Sequence, residues 1–275
     1  MTQPDEVIIE SGKSGLHYWR DLWRYRELFY FLAWRDILIR YKQTTIGITW
    51  AIIRPLLSIL VFTLIFGKLA RLSSSGIPYS ALVLVGMIPW QFFAGSLNEA
   101  SLSLANKENI ISKIYFPRII VPISGVVVNL VELGVGLVML LGFLLWQRTG
   151  IEATLAFLPL FLVLAFLLTL GCSIWIAALC VQFKDFRQVV SFALQLGLYI
   201  SPIAYGTAVI PEDWRAYYFL NPISGIVEGM RWAVFPDHIS LPLGGVITSL
   251  GITLCLLLSG IAYFRKIEKR LAELL

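Results

Sequence analysis

Few side chains in this sequence could carry chemistry, and their spacing excludes most of it. His17 and His238 are the two histidines, and no acidic cluster accompanies either. Cys172, Cys180 and Cys255 lie inside apolar runs without metal-ligand spacing, so they read as small apolar residues. No metal site is expected. Gly12-Lys13-Ser14 looks like the end of a phosphate-binding loop, but that motif needs a glycine where Val7 stands, and a preceding strand. If ATP is used, another chain binds it. What remains is charge embedded in apolar sequence: Arg54, and Glu132 with Asn129 a turn earlier. A charge at the centre of a span costs ~2.5 kcal/mol or more. Arg54 lies near the end of its run, where its stem can follow lipid while its head reaches the headgroups. Glu132 and Asn129 suit either a hydrogen bond between helices or the wall of a water-filled path.

These charges need an apolar scaffold, and the composition supplies one. Of 275 residues, 58% are hydrophobic and 14% charged, against about 25% charged in a soluble domain. Lipid must cover part of that surface. Apolar segments at 46–70, 79–102, 119–146, 155–181, 189–205 and 243–264 predict membrane-spanning helices. The fifth is the shortest, and Pro202 interrupts its end. With both ends inside, only Lys68, Arg71, Arg148, Arg215 and Arg231 of the 22 Lys and Arg residues fall in outer segments. That bias predicts cytoplasmic termini. It also explains the pI near 9.1 without nucleic acid, because the basic residues sit between apolar runs rather than on one face. The first fifteen residues are polar, so no cleavable signal peptide is expected.

Three further pieces are neither spans nor ordinary loops. In 18–43, Trp19, Leu22, Trp23, Phe29 and Leu32 recur at helical spacing, with Arg20, Arg24, Glu27 and Arg35 largely between them. A basic helix of that kind lies in the membrane interface. The inner loop 103–118 reads as a short polar helix stopped by Pro117. The outer segment 206–242 is too apolar for a free loop, and Asn221-Pro222 breaks it into two halves. Two short helices dipping into the outer leaflet would use its aromatic side chains, provided protein or water shields the non-helical backbone. No internal repeat has a clear period, and one broken span weighs against an inverted-repeat transporter.

One ordered set of residues goes beyond topology. It begins with Arg40-Tyr41-Lys42-Gln43-Thr44, Gly47 and Trp50, then Pro55, Phe66-Gly67, Gly86-Met87-Ile88-Pro89-Trp90 and Phe92-Phe93. It continues with Asn109, Lys113, Phe116-Pro117-Arg118 and Lys184-Asp185-Phe186-Arg187. Ser201-Pro202, Pro211-Glu212-Asp213-Trp214-Arg215 and Leu220-Asn221-Pro222 with Glu228 and Arg231 complete it. Across nearly the whole chain this set resembles the membrane (permease) subunits of bacterial type-2 ABC polysaccharide exporters, closest to those for O-antigen and teichoic acid.

The resemblance implies an all-α integral membrane protein of the bacterial inner membrane. It would have six transmembrane helices, an N-terminal amphipathic interface helix, and two short re-entrant outer helices between spans five and six. The parts would be a cytoplasmic N-terminus with the interface helix (1–45), a permease domain (46–265) and a cytoplasmic tail (266–275). Two copies would pair with two separate ATP-binding-cassette ATPase subunits, which bind ATP and Mg. This chain would hold no cofactor and catalyse nothing itself. The substrate would be a glycan on undecaprenyl pyrophosphate.

The loop 103–118 would be the coupling helix, with Lys107, Glu108, Asn109 and Lys113, joined by Lys184 and Asp185, meeting the ATPase. Its residues alone equally suit a solvated loop. Arg54 would contact the pyrophosphate or snorkel to headgroups. With Glu132, the aromatic residues Trp90, Phe93, Phe192, Tyr199 and Tyr205 would form a sugar path or pack against lipid. Trp214, Asn221, Pro222, Glu228 and Arg231 would form an outer gate. Alternative readings are a permease for capsule, teichoic acid or a smaller lipid or drug. A membrane-embedded glycosyltransferase or acyltransferase is a further alternative, but it would need acids or a histidine at a membrane face.

Overall fold

The computed structural model describes residues 15–42, 49–72, 76–111, 113–147 and 152–268, and among these there is no strand. Gln43, Thr44 and Gly47 of the first motif lie outside the described residues, as does Gly12-Lys13-Ser14. Two helices open the chain, α1 (Gly15–Arg24) and α2 (Arg26–Lys42). Then come α3 (Thr49–Phe62), which winds on as a π-helix over Thr63–Leu69, α4 (Tyr79–Asn106), the single turn α5 (Glu108–Ile111) and α6 (Ile120–Gln147). A 3-10 turn, Ala153–Phe157, leads into α7 (Leu158–Gln182), followed by α8 (Phe186–Ile200) and α9 (Glu212–Tyr218). The last two are α10 (Pro222–Val234) and α11 (Leu243–Glu268).

Among the described residues, five helices are long and apolar enough to cross a membrane: Thr49–Leu69, Tyr79–Asn106, Ile120–Gln147, Ala153–Gln182 and Leu243–Glu268. They coincide with five of the six expected segments. The remaining segment, 189–205, is helical only to Ile200. At 15 residues α8 reaches about 22 Å, short of a hydrocarbon core of about 30 Å. Its end has a local cause. Pro202 lacks an amide hydrogen and disfavours helix at Ser201, which turns to extended backbone.

The helix α4 is the axis of the bundle: 72% of its apolar window is buried, against 11% for Thr49–Leu69. Its Val83, Val85, Met87, Ile88 and Phe92 pack with Phe161, Leu164 and Leu168 of α7 and Ile226 and Met230 of α10. A second apolar cluster closes the end where the N-terminal helices lie, joining Leu32 of α2, Leu104, Ile111, Phe116, Ile174 of α7, and Phe264 and Ile267 of α11.

The segment 206–242 holds two short helices, α9 and α10. They differ in setting. Trp214 and Tyr217 on α9 are exposed, whereas almost all of α10 is buried between α4, α7 and α11. Protein, rather than lipid, takes up the apolar residues of α10. Asn221 caps that helix, its Oδ1 accepting from the Ile223 amide at 3.3 Å, and Pro222 sits where a missing amide costs nothing. Glycines let α10 seat so closely. A Cβ at Gly225 would press into Ser249 Oγ and the Gly245 carbonyl, and one at Gly229 into the Phe161 ring.

That packing predicts an asymmetry between glycines. Gly225→Leu should cost about 3 kcal/mol or more, because backbone stands in its way. Gly251→Leu on α11, where an added Cβ would meet nothing within 4 Å, should leave stability unchanged. Thermal unfolding of both purified variants in detergent is the check.

Candidate functional site

The end of the bundle bearing α1 and α2 presents a compact polar projection. The helix α4 runs out at Asn106, Lys107 caps it with its amide hydrogen bonded to the Leu104 carbonyl, and Glu108 begins α5, where its charge suits the helix N-terminus. Asn106, Glu108, Asn109, Lys113, Ile114 and Tyr115 face outward. Phe116 and Pro117 turn the chain back in. Lys184 and Asp185, in the turn between α7 and α8, are exposed too.

Lys107 departs from this outward set. It is buried, with Nζ 2.6 Å from Asp36 Oδ2 on α2 and donating to Ser124 Oγ on α6 at 3.1 Å. The far shoulder is held as well. The Arg118 amide donates to Glu268 Oε1 at 2.5 Å, and its guanidinium donates to the Glu268 carbonyl at 3.1 Å. Arg265 lies over the Tyr18 ring, 4.8 Å from its centre. Burial, reinforced by the neighbouring Glu268 carboxylate, pushes the Tyr18 phenol well above its ordinary range. Asp36, Ser124, Tyr18 and Glu268 were not among the expected functional residues. The only sequence signal was an acid inside a basic helix.

Glu132 finds its partner 92 residues earlier. Arg40, in the last turn of α2, donates to Glu132 Oε1 at 2.7 Å and to Asn129 Oδ1 at 3.0 Å. Gly95 on α4 clears the space, since a Cβ there would stand 2.8 Å from Asn129 Oδ1. Of the two readings open for Glu132, the structure supplies the bond between helices. Arg54 is exposed on α3.

The expected aromatic set divides. Trp90 is buried against Gly197 of α8 and tilts on half-buried Phe93, with ring centres 5.9 Å apart. Tyr205 is half-buried, its hydroxyl donating to the Ile200 carbonyl at 2.7 Å. Phe192 and Tyr199 instead stand on the open face of α8. That face also exposes Gln188, Ser191 and Gln195, all at helical spacing.

At the opposite end, Arg231 is fully buried. It donates to the carbonyls of Tyr205 at 2.9 Å, Ile203 at 3.1 Å and Leu82 at 3.1 Å, and to Glu228 Oε1 at 2.8 Å. The same carboxylate oxygen accepts from the Thr207 amide at 3.2 Å. Asn221 Nδ2 donates to Ser201 Oγ at 2.9 Å, and Tyr79 donates its hydroxyl to the Ala204 carbonyl. Glu228, Arg231 and Asn221 are therefore internal fastenings between α4, the end of α8 and α10, whereas Trp214 is a surface residue.

Residues 27–235 match the family described as ABC-2 type transporter. Among individual proteins, the O-antigen export system permease protein RfbA of Klebsiella pneumoniae is 28% identical over 244 residues, 88% of this chain and 92% of its own length. Its namesake in Myxococcus xanthus is 27% identical, over 80% of this chain and 84% of its own. The polysialic acid transport protein KpsM of Escherichia coli is 27% identical, over 86% of this chain and 91% of its own.

The Arg231 fastening predicts non-additive losses. Arg231→Met would strand a buried carboxylate and the carbonyls of Ile203 and Tyr205 and should cost about 3–5 kcal/mol. Adding Glu228→Gln should recover part of that loss, because the stranded charge is gone. Unfolding of the single and double variants in detergent measures both.

Proposed function

Because the chain belongs to the ABC-2 type transporter family, we propose that it is the permease subunit of an ATP-driven polysaccharide exporter in the bacterial inner membrane. The observation that carries this is the near end-to-end likeness to permeases named for O-antigen and polysialic acid transport. A helical bundle with an outward polar projection at one end is what such a subunit needs. A separate ATPase must grip something exposed, and Asn106, Glu108, Asn109 and Lys113 offer polar contacts on a short, braced loop.

In the finer reading, two copies of the chain pair with two ATPase subunits, which carry ATP and Mg. Closure of the ATPases on ATP moves the projection, together with Lys184 and Asp185. The substrate is an O-antigen-like glycan on undecaprenyl pyrophosphate. Six crossings are made if α8 and the buried 201–205 segment together complete the fifth, which leaves both termini and the 107–118 loop cytoplasmic. The open face of α8 supports a glycan path. Phe192 and Tyr199 can stack on sugar rings, and Gln188 and Gln195 can bond hydroxyls, whereas lipid would leave those amides unsatisfied. Arg54, exposed near the start of α3, fits the phosphates. The helices α9 and α10 close the outer end, with α10 fixed and α9 the freer of the two. Capsular glycan is the second reading, favoured by the 27% identity to the polysialic acid transport protein.

Purified alone, the chain should hydrolyse no ATP, and co-expressed with its partner ATP-binding-cassette ATPase, it should purify as a complex that does. Glu108→Lys with Asn109→Glu should leave the bundle folded while abolishing surface polysaccharide in a strain lacking its own copy. ATP hydrolysis by the lone chain would overturn the reading, and wild-type polysaccharide with the double variant would remove the loop from the ATPase contact.

A further inference from the structure

The projection is braced by an ion pair that polysaccharide export does not by itself require. Lys107 sits between two exposed neighbours, Asn106 and Glu108, yet its side chain is only 8% exposed. A lysine at the open end of a helix would ordinarily keep its ammonium in water. Here the ammonium gives up that hydration for Asp36 at 2.6 Å and Ser124 at 3.1 Å. The carboxylate is satisfied in turn by Arg35, whose Nη2 lies 3.0 Å from the other oxygen. A buried pair is held only when such extra hydrogen bonds complete it. This one gathers α2, the α4–α5 junction and α6 at a single point.

One turn further along α2 stands its second grip. Arg40 follows Asp36 by four residues, which puts both on one face of the helix, about 6 Å apart along the axis. Arg40 holds Glu132 and Asn129 within α6. The helix α2 therefore carries a carboxylate that grips the projection and a guanidinium that grips a spanning helix. Apolar packing alone, through Leu32 and Ala33 of α2, would let the helix slide, whereas two directional ion pairs fix its register. The other shoulder of the loop is tied elsewhere, since Arg118 bonds to the end of α11.

We propose that Asp36 and Lys107 are positioning residues for energy coupling. Their bond makes α2 follow the projection, so that a push on the exposed loop reaches α6 through Arg40 and Glu132. This rests on the exporter reading above. It assigns Lys107 to the permease's own interior and not to the ATPase contact.

The test uses the full permease–ATPase complex with Lys107→Met, Asp36→Asn, both together, and Lys107→Arg. ATP hydrolysis is measured in membrane vesicles with the complex quantified, and surface polysaccharide is measured on the same cells, which lack their own copy of the chain. Polysaccharide delivered per ATP hydrolysed should fall about fivefold in each single neutral variant, fall no further in the double, and return toward wild type with Lys107→Arg. A role in packing alone would lower complex, hydrolysis and export together. The ratio would then be unchanged, and that outcome overturns the inference. So does a double variant whose loss is the product of the two single losses. A wild-type chain that binds no ATPase overturns the functional reading itself. A wild-type complex that exports while the variants keep its ratio overturns the inference alone.

Discussion

A helix interrupted inside an apolar bundle leaves carbonyls that neither lipid nor hydrocarbon side chains can satisfy. In this protein α8 ends at Ile200, and the chain is then largely buried without helical bonding as far as Tyr205. The Arg231 guanidinium answers that need by reaching the carbonyls of Ile203 and Tyr205, and it ties them to α4 through the Leu82 carbonyl. Much of the surrounding structure follows. A lone guanidinium would be prohibitively desolvated there, so Glu228 accompanies it one turn away. The pair must sit at the break, so α10 is drawn into the bundle instead of lying on it. Seating a helix there needs Gly225 and Gly229 against its neighbours, and Gly86 to clear the guanidinium.

The opposite end obeys the same rule with a different result. There, too, charges are held across elements: Lys107 pairs with Asp36 and Arg40 with Glu132, and Arg118 and Glu268 each bond the other's backbone. Each pair consumes a polar group that sequence alone would assign to the surface. What is left outward is a short and chemically defined set on a loop whose two shoulders are tied down. Rigid anchoring and selective exposure thus have one cause, the need to satisfy each buried ion. At the Arg231 end the matched charges close a break, and at this end they brace a protrusion.

Much of this was legible in the sequence, because hydrophobic runs report length well. The segments at 79–102, 119–146 and 243–264 correspond to α4, α6 and α11 within a few residues. Pro202 and Asn221-Pro222 mark true interruptions. Apolarity does not say what provides the cover: within 206–242 the structure buries α10 in protein and leaves Trp214 and Tyr217 of α9 exposed. Nor does a polar loop show which of its side chains turns inward. Lys107 is adjacent to Glu108 in sequence, but only the arrival of α2 separates their roles. Nothing near Glu132 in sequence points to Arg40, which lies in another helix, 92 residues away. Pairs that join distant elements are decided by the fold, and they leave no local period to read.

Two of the exposed faces differ in chemistry. The open face of α3 and the π-helical turn after it carries Leu56, Leu57, Leu60, Val61 and Leu64, an aliphatic surface that hydrocarbon covers without loss. The exposed side of α8 is mixed: Phe192 and Tyr199 stand with Val189, Leu196 and Ile200 and with the polar Gln188, Ser191 and Gln195. Amide groups held against lipid tails would lack partners, and each would cost several kcal/mol. Helix α8 is also too short to match the hydrocarbon thickness by itself. The interruption that Arg231 secures lets α8 stop short of a full span, and the glycan path proposed above would run along that mixed face.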